Sequence, residues 1–219
     1  MPKPGLIEIV FILDCSVSMQ PLRSTVIDSF NEFLDKQQEL SGEALFTLAH
    51  FNSTYRLVHD GIDLPLAQPM RHEDYINDYG TALNDAIGFT AQAVTLRHQA
   101  MPEEERPERV LVAIFTDGLE NDSRVWNNQT VYDLIAQKTE TEGWEFFYVG
   151  CGSEAYVGSS QIGISPENSF SYDPGPGGTH SGFNSISGFM TSRRTGPNPD
   201  NASLKDQIDK VNKKKRILH

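Results

Sequence analysis

Residues 7–13, 109–116 and 144–149 are three strand-length runs that are apolar almost throughout, and no other feature constrains the fold as much. A strand with one wet face alternates apolar and polar residues; a strand covered on both faces has no need to. Runs of this kind point to a parallel sheet between two layers of helices. The intervening segments have the spacing such helices require. Val26, Ile27, Phe30, Phe33 and Leu34 form one stripe of a helix that opens near Pro21 and closes near Ser41-Gly42. Leu83, Ile87, Ala91 and Val94 form another over residues 81–99. Strand and helix in alternation predict an α/β chain of three layers, α/β/α, around a doubly wound, mostly parallel sheet.

The other elements follow from weaker signals. Residues 44–51 and 55–58 read as strands, and the short link through Asn52-Ser53 predicts an antiparallel hairpin at one edge of the sheet. Thr130-x-x-Asp133 reads as a capping-box variant opening a helix that carries Val131, Leu134 and Ile135. Beyond residue 152 the reading is a short helix over 153–162, an edge strand over 169–172, a Gly/Pro-rich loop over 173–182 and a final helix over 181–193. One domain is expected to fill residues 1–193, with a polar linker and basic tail over 194–219.

The first apolar run ends in Asp14-Cys15-Ser16-Val17-Ser18, which places three oxygen-bearing side chains at alternate positions of a tight turn. Oxygen ligands converging on one point suit a hard divalent cation, Mg2+ or Mn2+. Thr81, at the start of a helical pattern, offers a further hydroxyl. Asp117, in Thr116-Asp117-Gly118 at the end of another apolar run, offers a carboxylate. The bland alternative has Ser16 and Ser18 capping a helix and Asp117 turning the chain, and it leaves the coincidence of the three segments unexplained.

Asp-x-Ser-x-Ser, then Thr, then Thr-Asp-Gly, in that order, resembles the metal-ion-dependent adhesion site of von Willebrand factor A domains. Ser18-Met19, Gly80-Thr81-Ala82-Leu83, Glu120-Asn121 and Gly143-Trp144-Glu145-Phe146 are similar to the compact intracellular bacterial and phage members. The resemblance covers about residues 5–193 and implies a Rossmann-like fold with the metal at the carboxyl edge of the strands. It implies that Ser16 and Ser18 bind the metal directly, Thr81 directly or through water, and Asp14 and Asp117 mostly through water. It also implies a docking function, in which an Asp or Glu of a partner protein completes the coordination. Gly80, Asp85, Gly118, Glu120 and Asp122 are expected around the rim, where the acids either face the cation or serve as a solvated edge and helix caps.

Two other functions stay open on the residues alone. One is a metal-dependent phosphoester hydrolase, disfavoured because no general base and no second metal cluster stand out. The other is a structural or assembly module whose metal only orders its loops. His50 is expected in the core or an interface, His59, His72 and His98 on the surface, and His180 in the Gly-rich loop. The net charge of −12 argues against a nucleic-acid partner, since phosphate contacts need a basic surface. Residues 203–219 are the exception, with six Lys or Arg against two Asp. Cys15 and Cys151 are expected to be reduced. The amino-terminal residues do not read as a signal peptide and no apolar run is long enough to span a bilayer, so the expected location is cytoplasmic, without membrane contact.

Overall fold

The computed structural model describes residues 1–196. Strands β1 (Lys3–Asp14), β2 (Ala44–Phe51), β3 (Tyr55–Asp63), β4 (Pro107–Phe115), β5 (Glu145–Cys151) and β6 (Ser169–Tyr172) form one sheet in the order β3-β2-β1-β4-β5-β6. Every pairing is parallel except β2 with β3. The order reverses direction at β1, and the crevice beyond the carboxyl ends of β1 and β4 is where such sheets take ligands.

The apolar runs are explained by the two layers around them. In β1, Ile9, Phe11 and Leu13 pack into one core with α1 (Arg23–Gln38) and α5 (Pro176–Thr195). Val10 and Ile12 pack into the other, with α2 (Leu83–Ala100), α3 (Asn128–Glu142) and α4 (Glu154–Gln161). Phe11 lies with its ring centroid 5.5 Å from that of Phe30 and 5.1 Å from that of Phe33, both on α1, and 5.8 Å from that of Phe183 on α5. The expected three-layer α/β/α architecture with an antiparallel edge is therefore the one observed.

Glu8 is the single acid in the β1 run and is completely buried. It accepts hydrogen bonds from Arg97 Nη2 at 2.5 Å and Thr47 Oγ1 at 2.6 Å, and its other oxygen lies 2.6 Å from His98 Nε2. Burial pushes the Glu8 carboxyl up, but the bonds from His98, Arg97 and Thr47 outweigh it and hold the group below its ordinary value of 4.5. His98 is thus half-buried and bonded to an interior carboxylate, not the free surface residue expected from its place in a helical pattern.

Several boundaries differ from expectation for local reasons. Pro21 lies in a 3-10 turn (Val17–Leu22), and α1 opens after it at Arg23. The cap of α3 is Asn127, whose side chain accepts from Thr130 N while Thr130 reaches back, so Thr130 is the third helical residue and not the cap. The last helix begins at Pro176, because proline suits a first helical turn and Gly175, at φ +100°, supplies the entry. Residues 176–182 are therefore helix where a loop was expected, and His180 lies within it. Gly182 fits there because a β-carbon would approach the Phe115 ring to 2.9 Å. Both cysteines are free thiols, at the carboxyl ends of β1 and β5. Among the described residues no helix is long and apolar enough to cross a membrane. The basic stretch over 203–219 lies outside the described residues.

Candidate metal centre

β1 delivers Asp14 to the carboxyl edge with no solvent exposure. One carboxylate oxygen accepts from Ser16 N at 2.6 Å and the other from Thr116 Oγ1 at 2.5 Å. These bonds fold the chain back on itself, so that Ser16 Oγ and Ser18 Oγ stand 2.9 Å apart. Asp117, two residues beyond the end of β4 with Thr116 between, brings its Oδ1 to 2.8 Å from Ser18 Oγ and 3.5 Å from Ser16 Oγ. Thr81 Oγ1 reaches the same corner, 3.9 Å from where a β-carbon on Gly118 would lie. The structure thus brings all five expected donors to one edge.

The donor set fits a hard cation. Ligands about 2.1 Å from an octahedral ion sit about 3 Å from their neighbours, and Ser18 Oγ lies at about that distance from Ser16 Oγ and from Asp117 Oδ1, while Ser16 Oγ and Asp117 Oδ1 are 3.5 Å apart. Burial pushes the Asp14 carboxyl up to about 6, against the bonds from Thr116 and Ser16, with the charge of Asp117 adding to the rise. Burial also raises Asp117, against bonds from Ser18 and Ser16. No basic side chain is among the groups that hold the two carboxylates down, so a cation between them would relieve both. Among the described residues no three His, Cys, Asp or Glu side chains cluster as metal ligands do. The centre is one of hydroxyls with two carboxylates.

The rim residues fall into two groups. Gly80, at φ +82°, has Asp122 Oδ2 2.6 Å from the place of a β-carbon, so Asp122 packs directly over the residue before Thr81. Asp85 and Glu120 are turned elsewhere. Asp85 accepts from the backbone N–H groups of Arg124, Val125 and Trp126 at 2.9, 3.0 and 2.7 Å. Glu120 accepts from those of Asn84, Asp122 and Ser123 at 2.8, 2.9 and 2.7 Å. Together they clamp residues 120–126 to the start of α2. Asp85→Ala should therefore lower stability by about 1–3 kcal/mol through three orphaned N–H groups, while calorimetric titration still shows one bound cation.

Four supporting residues had no role in the sequence reading. Thr116 holds Asp14 and accepts from Gly118 N at 3.2 Å, setting the turn that aims Asp117. Tyr75, fully buried, donates to the Asp14 carbonyl at 2.5 Å. Asn77 donates to the Ser16 carbonyl at 3.2 Å. Asn121 exchanges bonds with the Thr81 backbone, accepting from its N–H at 2.9 Å and donating its own N–H to its carbonyl at 3.1 Å. Thr116 stands in the Thr-Asp-Gly motif itself, and Asn121 in the Glu120-Asn121 pair that the resemblance includes, but neither is read there as a support. Tyr75 and Asn77 come from a connector without periodicity, and nothing local marks them.

No family profile and no curated protein matches the sequence. Solved structures do match in three dimensions. Proximal thread matrix protein 1 from the mussel byssus superimposes over 87% of this chain and 46% of its own, with a TM-score of 0.60 and 14% identity. A von Willebrand factor type A structure from Catenulispora acidiphila does so over 83% and 41%, with a TM-score of 0.56 and 14% identity. The von Willebrand factor domain of a type V pilus tip protein from Porphyromonas gingivalis matches over 89% and 98%, with a TM-score of 0.61 and 10% identity. The chain has the von Willebrand factor A fold. It spans less than half the length of the first two of these proteins. Another structure of the byssus protein, at a TM-score of 0.51 and 17% identity, has a zinc-occupied adhesion-site motif. In this von Willebrand factor A fold the oxygen cluster of Asp14, Ser16, Ser18, Thr81 and Asp117 lies beyond the carboxyl ends of the central strands.

Proposed function

We propose that this chain is a metal-dependent docking module. Ser16, Ser18 and Thr81 would hold a divalent cation, Mg2+ or Mn2+, with Asp14 and Asp117 balancing its charge. The observation that carries the reading is the convergence of Ser16 Oγ, Ser18 Oγ and Asp117 Oδ1, 2.8 to 3.5 Å from one another, at the carboxyl edge of the sheet. The cation supplies a Lewis-acidic point for one carboxylate oxygen from an Asp or Glu of a partner protein. The chain's own residues hold that point rigid: Thr116 and Tyr75 fix Asp14, and Asn121 fixes Thr81. The zinc-occupied motif of the byssus protein supports a metal role for the fold.

The surroundings suit docking. An isolated bridge between Ser16 and Asp78 lays residues 76–79 beside the metal loop, where Ile76 is 60% and Tyr79 74% exposed. Large apolar side chains left in water beside a coordination point are what a partner would cover. A hydrolase is less well supported, since two of the three acids expected at the rim, Asp85 and Glu120, already accept three backbone bonds each. The cytoplasmic bacterial or phage setting expected from the sequence belongs to the same proposal.

Thr81 offers a clean test, because its bonds to Asn121 are made by its backbone. Thr81→Ala should melt like wild type in metal-free buffer and lose every partner that wild type captures in Mg2+ and releases to chelator. Recovery of the same partners by Thr81→Ala would sink the docking reading. A large drop in melting temperature on chelation, with partner capture unchanged, would favour the loop-ordering role instead.

A further inference from the structure

The edge of the sheet opposite the metal oxygens carries an open groove of about 760 Å³, between the end of α1, the first residues of β1 and β2, and the segment that follows β3. Leu40, Leu45 and Met101 line it half-buried, and Leu66 lines it at 64% exposure. Large apolar side chains left in water along one groove mark a surface that another segment covers. The charged groups around it are of two kinds. Lys3 pairs with Glu43, and Arg194 donates to the carbonyls of Gln37 at 2.5 Å and Gly42 at 3.4 Å. Asp63 and Glu105 are exposed and make no ion pair among the described residues. The groove is therefore apolar, with two carboxylates that no basic side chain neutralises.

The chain itself arrives at this groove. α5 starts beyond the carboxyl end of β6 and runs 20 residues, about 30 Å, to the opposite edge. There Arg194, in its last turn, lines the groove, and the described residues end at Gly196. The sequence that follows has the matching chemistry. Leu204, Ile208 and Val211 recur at i, i+4 and i+7, the apolar spacing of an amphipathic segment, with Lys205 and Lys210 among them. Residues 197–203 span at most about 25 Å, so Leu204 has the reach to enter a groove that Arg194 already lines. Tethered this closely, the segment meets the groove at an effective concentration on the order of millimolar, and modest contacts suffice to seat it.

We propose that residues 204–211 of the same chain seat in this groove. Leu204, Ile208 and Val211 cover Leu40, Leu45, Leu66 and Met101, and Lys205 and Lys210 meet the carboxylates of Asp63 and Glu105. The basic stretch 213–216 is thereby held at the edge of the sheet away from the metal oxygens. The seating does not depend on the docking reading.

The test uses the full chain, isotope-labelled at the methyl groups of Ile, Leu, Val and Met. Nuclear Overhauser contacts from Ile208 to Leu66 and Met101 are expected, and a sample mixing labelled with unlabelled protein should show that they arise within one molecule. Leu66 is exposed, so Leu66→Asp leaves the core untouched. That variant in the groove and Leu204→Asp in the tail should each abolish the contact between Ile208 and Met101 and speed amide exchange over residues 204–211 about tenfold or more. Contacts that form only between copies would make the groove an interface between two molecules, and no contacts in the wild type would leave it to a different partner. Either result, or a contact between Ile208 and Met101 that survives both variants, would overturn the proposal.

Discussion

Asp14→Asn is expected to bind no Mg2+ and, in chelator at pH 7, to melt above the wild-type protein. The carboxyl of Asp14 is raised from an ordinary 3.8 to about 6 in the folded chain, chiefly by burial. The folded state therefore binds this proton more tightly than the unfolded state, and metal-free protein gains stability as the pH falls from about 6 towards 4. A shift of this size corresponds to about 3 kcal/mol. Asn keeps the acceptor for Ser16 N and can exchange donor and acceptor with Thr116, so it removes the buried charge while retaining the loop. The same proton competes with the cation, and Mg2+ affinity should weaken by about tenfold per pH unit below about 6. Melting curves at pH 7 and 5, with and without Mg2+, check both statements. Equal melting of wild type and Asp14→Asn in chelator at pH 7 would mean that the carboxylate is not strained by burial.

Glu8→Ala is expected to cost about 3 kcal/mol, because it leaves the half-buried Arg97 and His98 without their shared buried carboxylate. Arg97 would keep its 2.8 Å pair with Asp60, so His98 would be the more exposed to loss. The pH dependence has the opposite sign to that of Asp14. Glu8 is held below 4.5 in the folded chain, so its contribution is present above that value and is lost as the pH falls through the lower folded value. Denaturant titrations should show stability falling on acidification below about pH 4.5 in the wild type, and Glu8→Gln should flatten that limb. A Glu8→Ala variant within about 1 kcal/mol of wild type, against the expected loss of about 3 kcal/mol, would show that water replaces the carboxylate.

The strands, most of the helices and the gathering of Asp14, Ser16, Ser18, Thr81 and Asp117 at one sheet edge were legible in the sequence because each signal is local. Burial on two faces writes itself as an unbroken run, burial on one face as a helical stripe, and a cation loop as oxygens at alternate positions. The roles of Asp85 and Glu120 were not legible in that way. An acid beside a metal motif has the same sequence signature whether it faces the ion or accepts three N–H groups from a loop some 40 residues away. His98 reads as a surface histidine until Glu8, 90 positions earlier in the chain, is placed against it.

The amino-acid sequence by itself determined the layering of the sheet, its antiparallel edge and the chemistry of the carboxyl-edge oxygens, since these rest on periodicity and residue type. Only the tertiary structure decided which polar groups are occupied. It assigned Thr116, Tyr75 and Asn121 to hold the loop of Asp14, Ser16 and Ser18, turned Asp85 and Glu120 away from it, and set the buried Glu8 against the half-buried Arg97 and His98. Hydrogen-bond satisfaction depends on partners brought together by packing, and no spacing along the chain encodes it.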